Sequence, residues 1–193
     1  ISNPRPQEPG DFPPQPVFAV STLRNWEQVG QWYLELQSSR TGATEAIQSL
    51  AAKLTAGKSA PREKLEAVYT YVSEQIRYVA IMFGRGGFQP HLAADVLRNG
   101  YGDCKDKHAL LTALLEAADL KVHPVLINTD EGLIESAVPM PAQFNHVISM
   151  VPVTGEQIWL DTTLEVAPLG VLPARMRGKQ ALLLEPGHTR IVE

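Results

Sequence analysis

Tyr101-Gly102-Asp103-Cys104-Lys105-Asp106-Lys107-His108-Ala109-Leu110-Leu111-Thr112-Ala113-Leu114-Leu115 carries the strongest structural signal in this chain. Asp103 is a good helix cap with Asp106 three residues on, and Leu110, Leu111, Leu114 and Leu115 form an apolar stripe at helical spacing. A helix from Cys104 to about Ala118 follows. Upstream, Asn99-Gly100-Tyr101-Gly102 is a turn-forming cluster that must stop a short helix over Leu92–Leu97 and redirect the chain. The single cysteine of the 193 residues therefore stands at a helix N-terminus.

Toward the N-terminus the periodicity stays helical. Trp26, Val29, Trp32, Tyr33 and Leu36 recur at helical spacing after Asn25, which with Gln28 reads as a capping box. Ile47, Leu50, Ala51 and Leu54 make a second amphipathic run that ends at Gly57. Ser59 is expected to cap a third helix, with Pro61 in its first turn and Leu65, Val68, Tyr69, Val72 and Ile76 along one face. Tyr78–Phe83 reads as a buried strand or extended segment bounded by Gly84, Gly86 and Gly87, glycines that lack both the spacing and the Lys-Ser/Thr of a phosphate loop. Toward the C-terminus, Val122–Ile127, Phe144–Val151 and Gln157–Leu160 read as strands, separated by a polar loop around Asn128–Gly132 and a turn at Thr154-Gly155. Helices first, a central helix, then antiparallel strands define an α+β chain.

Composition narrows the partners. Seventeen basic against 21 acidic residues leave a net charge of −4, which gives nucleic acid or an anionic surface no electrostatic hold. No apolar run approaches the roughly 18 residues of a spanning helix. One cysteine allows no internal disulfide. Six of the fifteen prolines fall within the first sixteen residues, so residues 1–20 read as a proline-rich linker from an upstream domain. The chain opens at Ile1 and reads as an excised piece of a longer protein.

Cysteine attacks as its thiolate, which helix starts and nearby cations favour. Cys104 has that address, with Lys105 and Lys107 as helpful neighbours and Asp103 opposing unless it is busy capping. His146 lies within one expected strand and Asp161 just past the next, so a hairpin would set them side by side. An imidazole facing the thiol could take its proton and pass it to a leaving group while the carboxylate orients the ring. Each residue also has a bland reading: Cys104 as a small buried apolar group, His146 as a bonded core histidine, and Asp161-Thr162-Thr163 as the start of a turn. Cys104 and His108 share a helix face, which leaves open a metal pair completed by His146 and Asp161, although the spacing lacks the close ligand pairs of structural zinc sites.

Tyr101-Gly102-Asp103-Cys104-Lys105-Asp106, Phe144-Asn145-His146 and Trp159-Leu160-Asp161-Thr162 together resemble the three signature blocks of the transglutaminase-like superfamily, cysteine acyl-transfer enzymes related in fold to papain-type proteases. The resemblance spans roughly Leu65 to Thr163 and implies a papain-like fold, with a Cys-bearing central helix packed on an antiparallel sheet. It carries the roles of nucleophile, base and orienting acid onto Cys104, His146 and Asp161, without metal or cofactor. Lys105 stands where animal transglutaminases have tryptophan, and His146-Val147-Ile148 replaces the His-Ala-Trp of many bacterial relatives, so protein cross-linking is not implied. What the resemblance does imply is a peptidase or amidase, or a transamidase, working on a peptide or protein through a Cys thioester. The alternative is a non-catalytic peptide- or cell-wall-binding domain of the same fold. The closer likeness is to bacterial domains of multi-domain, often exported proteins, which makes an exported or periplasmic setting the expectation. By analogy with papain-like enzymes Gln89 is the candidate second donor of an oxyanion hole, and His91 could line the cleft. Residues 21–170 then form the catalytic domain, its selectivity set by the polar loop Thr129–Gln143, and residues 171–193 a C-terminal extension. That extension, with Leu182–Leu184 and Ile191-Val192 as short strands, supplies either edge strands or the start of a further module.

Overall fold

The computed structural model describes residues 19–80, 87–130 and 134–193, which leaves the proline-rich stretch before residue 19, the glycines Gly84 and Gly86, and Gly132 outside the described residues. Helix α1 (Trp26–Ser38) starts where the Asn25 side chain accepts the Gln28 N–H at 2.9 Å, the cap the sequence implies. Helix α2 (Glu45–Thr55) ends just ahead of Gly57. Helix α3 (Pro61–Gln75) is capped at Ala60 rather than at Ser59. Alanine has no side-chain acceptor; Pro61, already shaped for a first helical position, fixes the start, and Glu63 Oε2 accepts the Ala60 N–H at 3.3 Å.

Beyond α3, the extended segment expected from Tyr78 is represented among the described residues by β1 (Arg77–Tyr78). Helix α4 (Ala93–Asn99) ends at Gly100, and β2 (Tyr101–Gly102) pairs in parallel with β1. The Asn99–Gly102 cluster therefore holds the last residue of α4, its left-handed cap Gly100 and the two residues of β2. Gly102 is needed for a close approach: a Cβ there would sit 2.6 Å from Cβ of Asp106, in the first turn of helix α5 (Cys104–Glu116).

Five strands follow: β3 (His123–Ile127), β4 (His146–Val153), β5 (Glu156–Leu160), β6 (Ala181–Leu183) and β7 (Arg190–Val192). They form an antiparallel sheet in the order β5-β4-β3-β6-β7, so residues 171–193 supply a strand beside β3 as well as the edge. Thr154 (φ 47°) and Gly155 (φ 86°) make the β4–β5 turn, a two-residue hairpin with both central residues left-handed. Alternation along the strands sorts the sheet into two faces. Leu126, Val147 and Leu182 pack against α1, Val151 packs against α5, and Ser149 bonds to α5, whereas Val125, Ile127, Ile148, Met150 and Leu183 cluster with Met176 on the opposite face.

Helix α5 is the axle of this arrangement. Every residue from Lys105 to Leu115 is buried, so it is enclosed by α2, α3, α4 and the sheet rather than lying on a surface. Leu110, Leu111, Leu114 and Leu115 are fully buried and contribute on the order of 2 kcal/mol each by transfer from water. The polar residues of the same helix must then each find a partner.

Candidate active site

Those partners fix where α5 begins and how it sits. Asp103 accepts the Asp106 N–H at 3.3 Å while Asp106 Oδ2 accepts the Asp103 N–H at 3.2 Å, a reciprocal cap. Lys105 Nζ donates to Asp103, so its charge is engaged beside the cap. Burial raises the Asp103 pKa, and that bond to Lys105 works against the rise. Lys107 departs from the expectation that it would support the thiol. Its ammonium turns into the core and donates to the carbonyls of Ser73 (3.2 Å) and Ile76 (2.5 Å) at the C-terminus of α3, where burial lowers its pKa to about 8. A cation at the negative end of a helix is stabilising, which makes Lys107 a tie between α5 and α3.

His108 is equally occupied. Its Nδ1 is 2.7 Å from Ser149 Oγ and its Nε2 3.4 Å from Thr112 Oγ1, and burial lowers its pKa to about 3, so the ring is neutral. With both nitrogens engaged, the metal arrangement of Cys104, His108, His146 and Asp161 does not form; no such cluster occurs among the described residues. The bond to Ser149 instead locks α5 to β4, one turn beyond Cys104 and three residues beyond His146.

Cys104 is half-buried and lines a cavity of about 340 Å³ together with His146, Lys105, Tyr33, Phe88 and Phe144. His146 opens β4, and Asp161 directly follows β5, so both stand at the open end of the hairpin, away from its turn. His146 Nε2 lies 2.9 Å from Asp161 Oδ2. The other carboxylate oxygen accepts the backbone N–H and the hydroxyl of Thr163, each at 2.8 Å. Burial opposes charge on the imidazole, but hydrogen bonds to Asp161 and to Cys104, with the negative charge of both, outweigh it and raise the His146 pKa to about 9. Burial likewise pushes Asp161 upward, and the bonds from His146 and Thr163 overcome it and hold the carboxyl below its ordinary value. The three residues that the sequence singles out thus meet, with the imidazole between sulfur and carboxylate.

Other expectations fare differently. Gln89 is half-buried, and it is Gly87 and Phe88, not Gln89, that reach the cavity wall. His91 does not line the cleft: its backbone N–H (2.8 Å) and Nδ1 (3.0 Å) both bond to Asp106, on the far side of the α5 cap. His123 and His188 lie off the cavity too. The loop before β4 docks on the start of α1, where Trp26 Nε1 donates to Ser136 O at 3.1 Å and the Trp26 ring meets Phe144 edge-on at 5.9 Å. It therefore borders the site through Phe144. Tyr33 is the residue that periodicity hides: the sequence marks it as one member of an apolar helix face, and only the packing of α1 on the sheet brings it to the cavity of Cys104.

The family model of the transglutaminase-like superfamily matches residues 48–161, a span that holds Cys104, His146 and, at its end, Asp161. The chain belongs to that superfamily. No curated protein matches it. Among solved structures it is similar to a "putative protease" from Parabacteroides distasonis, at 19% identity and a TM-score of 0.66, over 85% of this chain and 31% of that one. It is also similar to a "putative cysteine protease" from Cytophaga hutchinsonii, at 16% identity and a TM-score of 0.49, over 83% of this chain and 53% of that one. The chain thus spans less than two thirds of either protein, and what the first of these likenesses establishes is the α+β fold.

Proposed function

We propose that this domain transfers acyl groups from amide bonds through a thioester on Cys104, with His146 as base and acid and Asp161 holding the imidazole. The observation that carries the reading is His146 itself, bonded to a buried carboxylate at 2.9 Å and facing the only thiol across a shared cavity. With Nε2 engaged by Asp161, Nδ1 is the nitrogen left for the sulfur. A pKa of about 9 keeps this imidazole protonated at neutral pH, the state that accompanies a thiolate.

The thiolate attacks the amide carbon, and the carbonyl π electrons move to oxygen. As the carbonyl re-forms, the C–N bond breaks, the amine leaves with the proton from His146, and a thioester remains. His146 then takes a proton from water or from an amine as that nucleophile's oxygen or nitrogen bonds to the thioester carbon; the C–S bond breaks, the sulfur leaves as thiolate beside the imidazolium, and a carboxylic acid or a new amide is released. Asp161 stays ionised throughout and stabilises the imidazolium. Apolar walls at Phe88, Leu126 and Phe144 suit a peptide whose scissile amide is flanked by an apolar side chain.

A mixed peptide library incubated with the domain and read by mass spectrometry tests this reading. Cleaved or transamidated peptides should form with the natural sequence and be absent with Cys104→Ala. The same products from Cys104→Ala would contradict it.

A further inference from the structure

Tyr33 is 1% exposed, and its hydroxyl has no hydrogen-bond partner among the described residues. Leaving a buried donor unpaired costs about 1–3 kcal/mol, and a phenylalanine in the same apolar face of α1 would avoid that cost. The cavity this side chain lines is the one that holds Cys104 and His146. Burial first, then the negative charges of Cys104, Asp103 and Asp106, raise its pKa well above the ordinary value, so the hydroxyl remains a proton-bearing donor. The Cys104 N–H, the first of α5, has no acceptor within its helix. The cavity is thus lined by two residues that each carry an unspent donor, Tyr33 from α1 and Cys104 from α5.

We infer that the Tyr33 hydroxyl donates a hydrogen bond to the substrate's acyl oxygen, completing with the Cys104 N–H an oxyanion hole for the intermediate formed on Cys104. The inference rests on the acyl-transfer reading above and deepens it. As sulfur bonds to the carbonyl carbon, the electron pair arriving on oxygen meets both donors; neither gives up its proton, and the pair returns to re-form the carbonyl when the leaving group departs. A hydroxyl with no partner among the described residues is bonded at the moment charge develops, so its interaction is spent on the transition state.

Two reactions of Cys104 separate this role from a structural one. p-Nitrophenyl acetate acylates the sulfur through a tetrahedral oxyanion, read as a burst of p-nitrophenolate, whereas iodoacetamide alkylates it by displacement with no oxyanion. Tyr33→Phe should slow the burst about 100-fold, leave alkylation within about twofold, and leave the melting temperature unchanged or higher, because no protein bond is lost. An unchanged burst would overturn the inference, as would an equal loss in both reactions, which would mean that Tyr33 acts on the thiol itself. A natural domain with no Cys104-dependent burst would remove the acyl-transfer reading and this inference together, whereas a burst that depends on Cys104 and His146 but not on Tyr33 removes the inference alone.

Discussion

Two cavities of about 340 Å³ open on opposite faces of the same sheet. The outer one is lined by Ile127, Ile148, Trp159 and Met176, with Arg177 and Lys179 at its border. The inner one differs from it by a residue or two along each strand, with Leu126 and Val147 in place of Ile127 and Ile148. Size and apolar lining are shared, so neither makes a reactive site. What distinguishes the inner cavity is that α5 and β4 begin there and that β5 ends beside it, which brings a helix-start thiol, an imidazole and a buried carboxylate to one place. The outer cavity meets only the end of a short 3-10 helix, Ala174–Met176, and no α-helix start among the described residues.

Chemical variants should separate the two cavities most sharply. Cys104→Ala should abolish turnover, and His146→Ala should lower it by at least about a thousandfold, while Trp159→Ala, on the outer wall, should leave it within about twofold. Loss of activity in the Trp159 variant with the fold intact would break the contrast.

Asp161→Asn should slow turnover strongly and also cost about 3 kcal/mol of stability, the typical loss when one partner of a buried ion pair is removed. The pH dependence follows from the two pKa shifts. His146 is raised from 6.5 to about 9, so its contribution is complete below 6.5 and fades as pH rises through 9. Asp161 is lowered from 3.8, so its contribution is present above 3.8 and fades as pH falls through the lowered value. Denaturant melts should therefore find the gap between the natural domain and the Asn variant fullest at about pH 4 to 6.5 and closing above 9. A gap that widens above pH 9 would contradict the pairing.

Smaller effects concern the lock behind the site. Ser149→Ala removes the partner of His108 Nδ1 and should cost about 1–3 kcal/mol, measured by the same melts. His108 binds its proton only near pH 3 in the folded chain, so stability should decline as pH falls from 6.5 toward 3, when the unfolded chain takes the proton first. Met176→Ala, in the outer cluster, should destabilise by a comparable amount with no change in the reactivity of Cys104.

Local patterns carried much of this architecture. The apolar stripe of α5, the Asn25 cap, the Thr154-Gly155 turn and the alternation along β3 to β5 all sit within a few residues of their cause, and the structure reproduces them. The insertion of β6 beside β3 is a pairing between distant segments, and nothing in the Ala181–Leu183 stretch itself names its neighbour. β1 and β2 are two residues each, too short for any period to register. Lys107 reads in the sequence as a cation beside the thiol, and only the enclosure of α5 on all sides sends it to the carbonyls of α3. Cys104, His146 and Asp161 were legible as a spaced set, and the structure shows His146 and Asp161 bonded and His146 lining one cavity with Cys104; Gln89 was an analogy and does not line that cavity, and Tyr33 was masked by the apolar face it belongs to.

The account turns on the imidazole of His146 acting on the sulfur of Cys104, and the rate of carboxamidomethylation of Cys104 at neutral pH tests it most directly. The natural domain should label at least about tenfold faster than His146→Ala. Equal rates for the two folded proteins would contradict it.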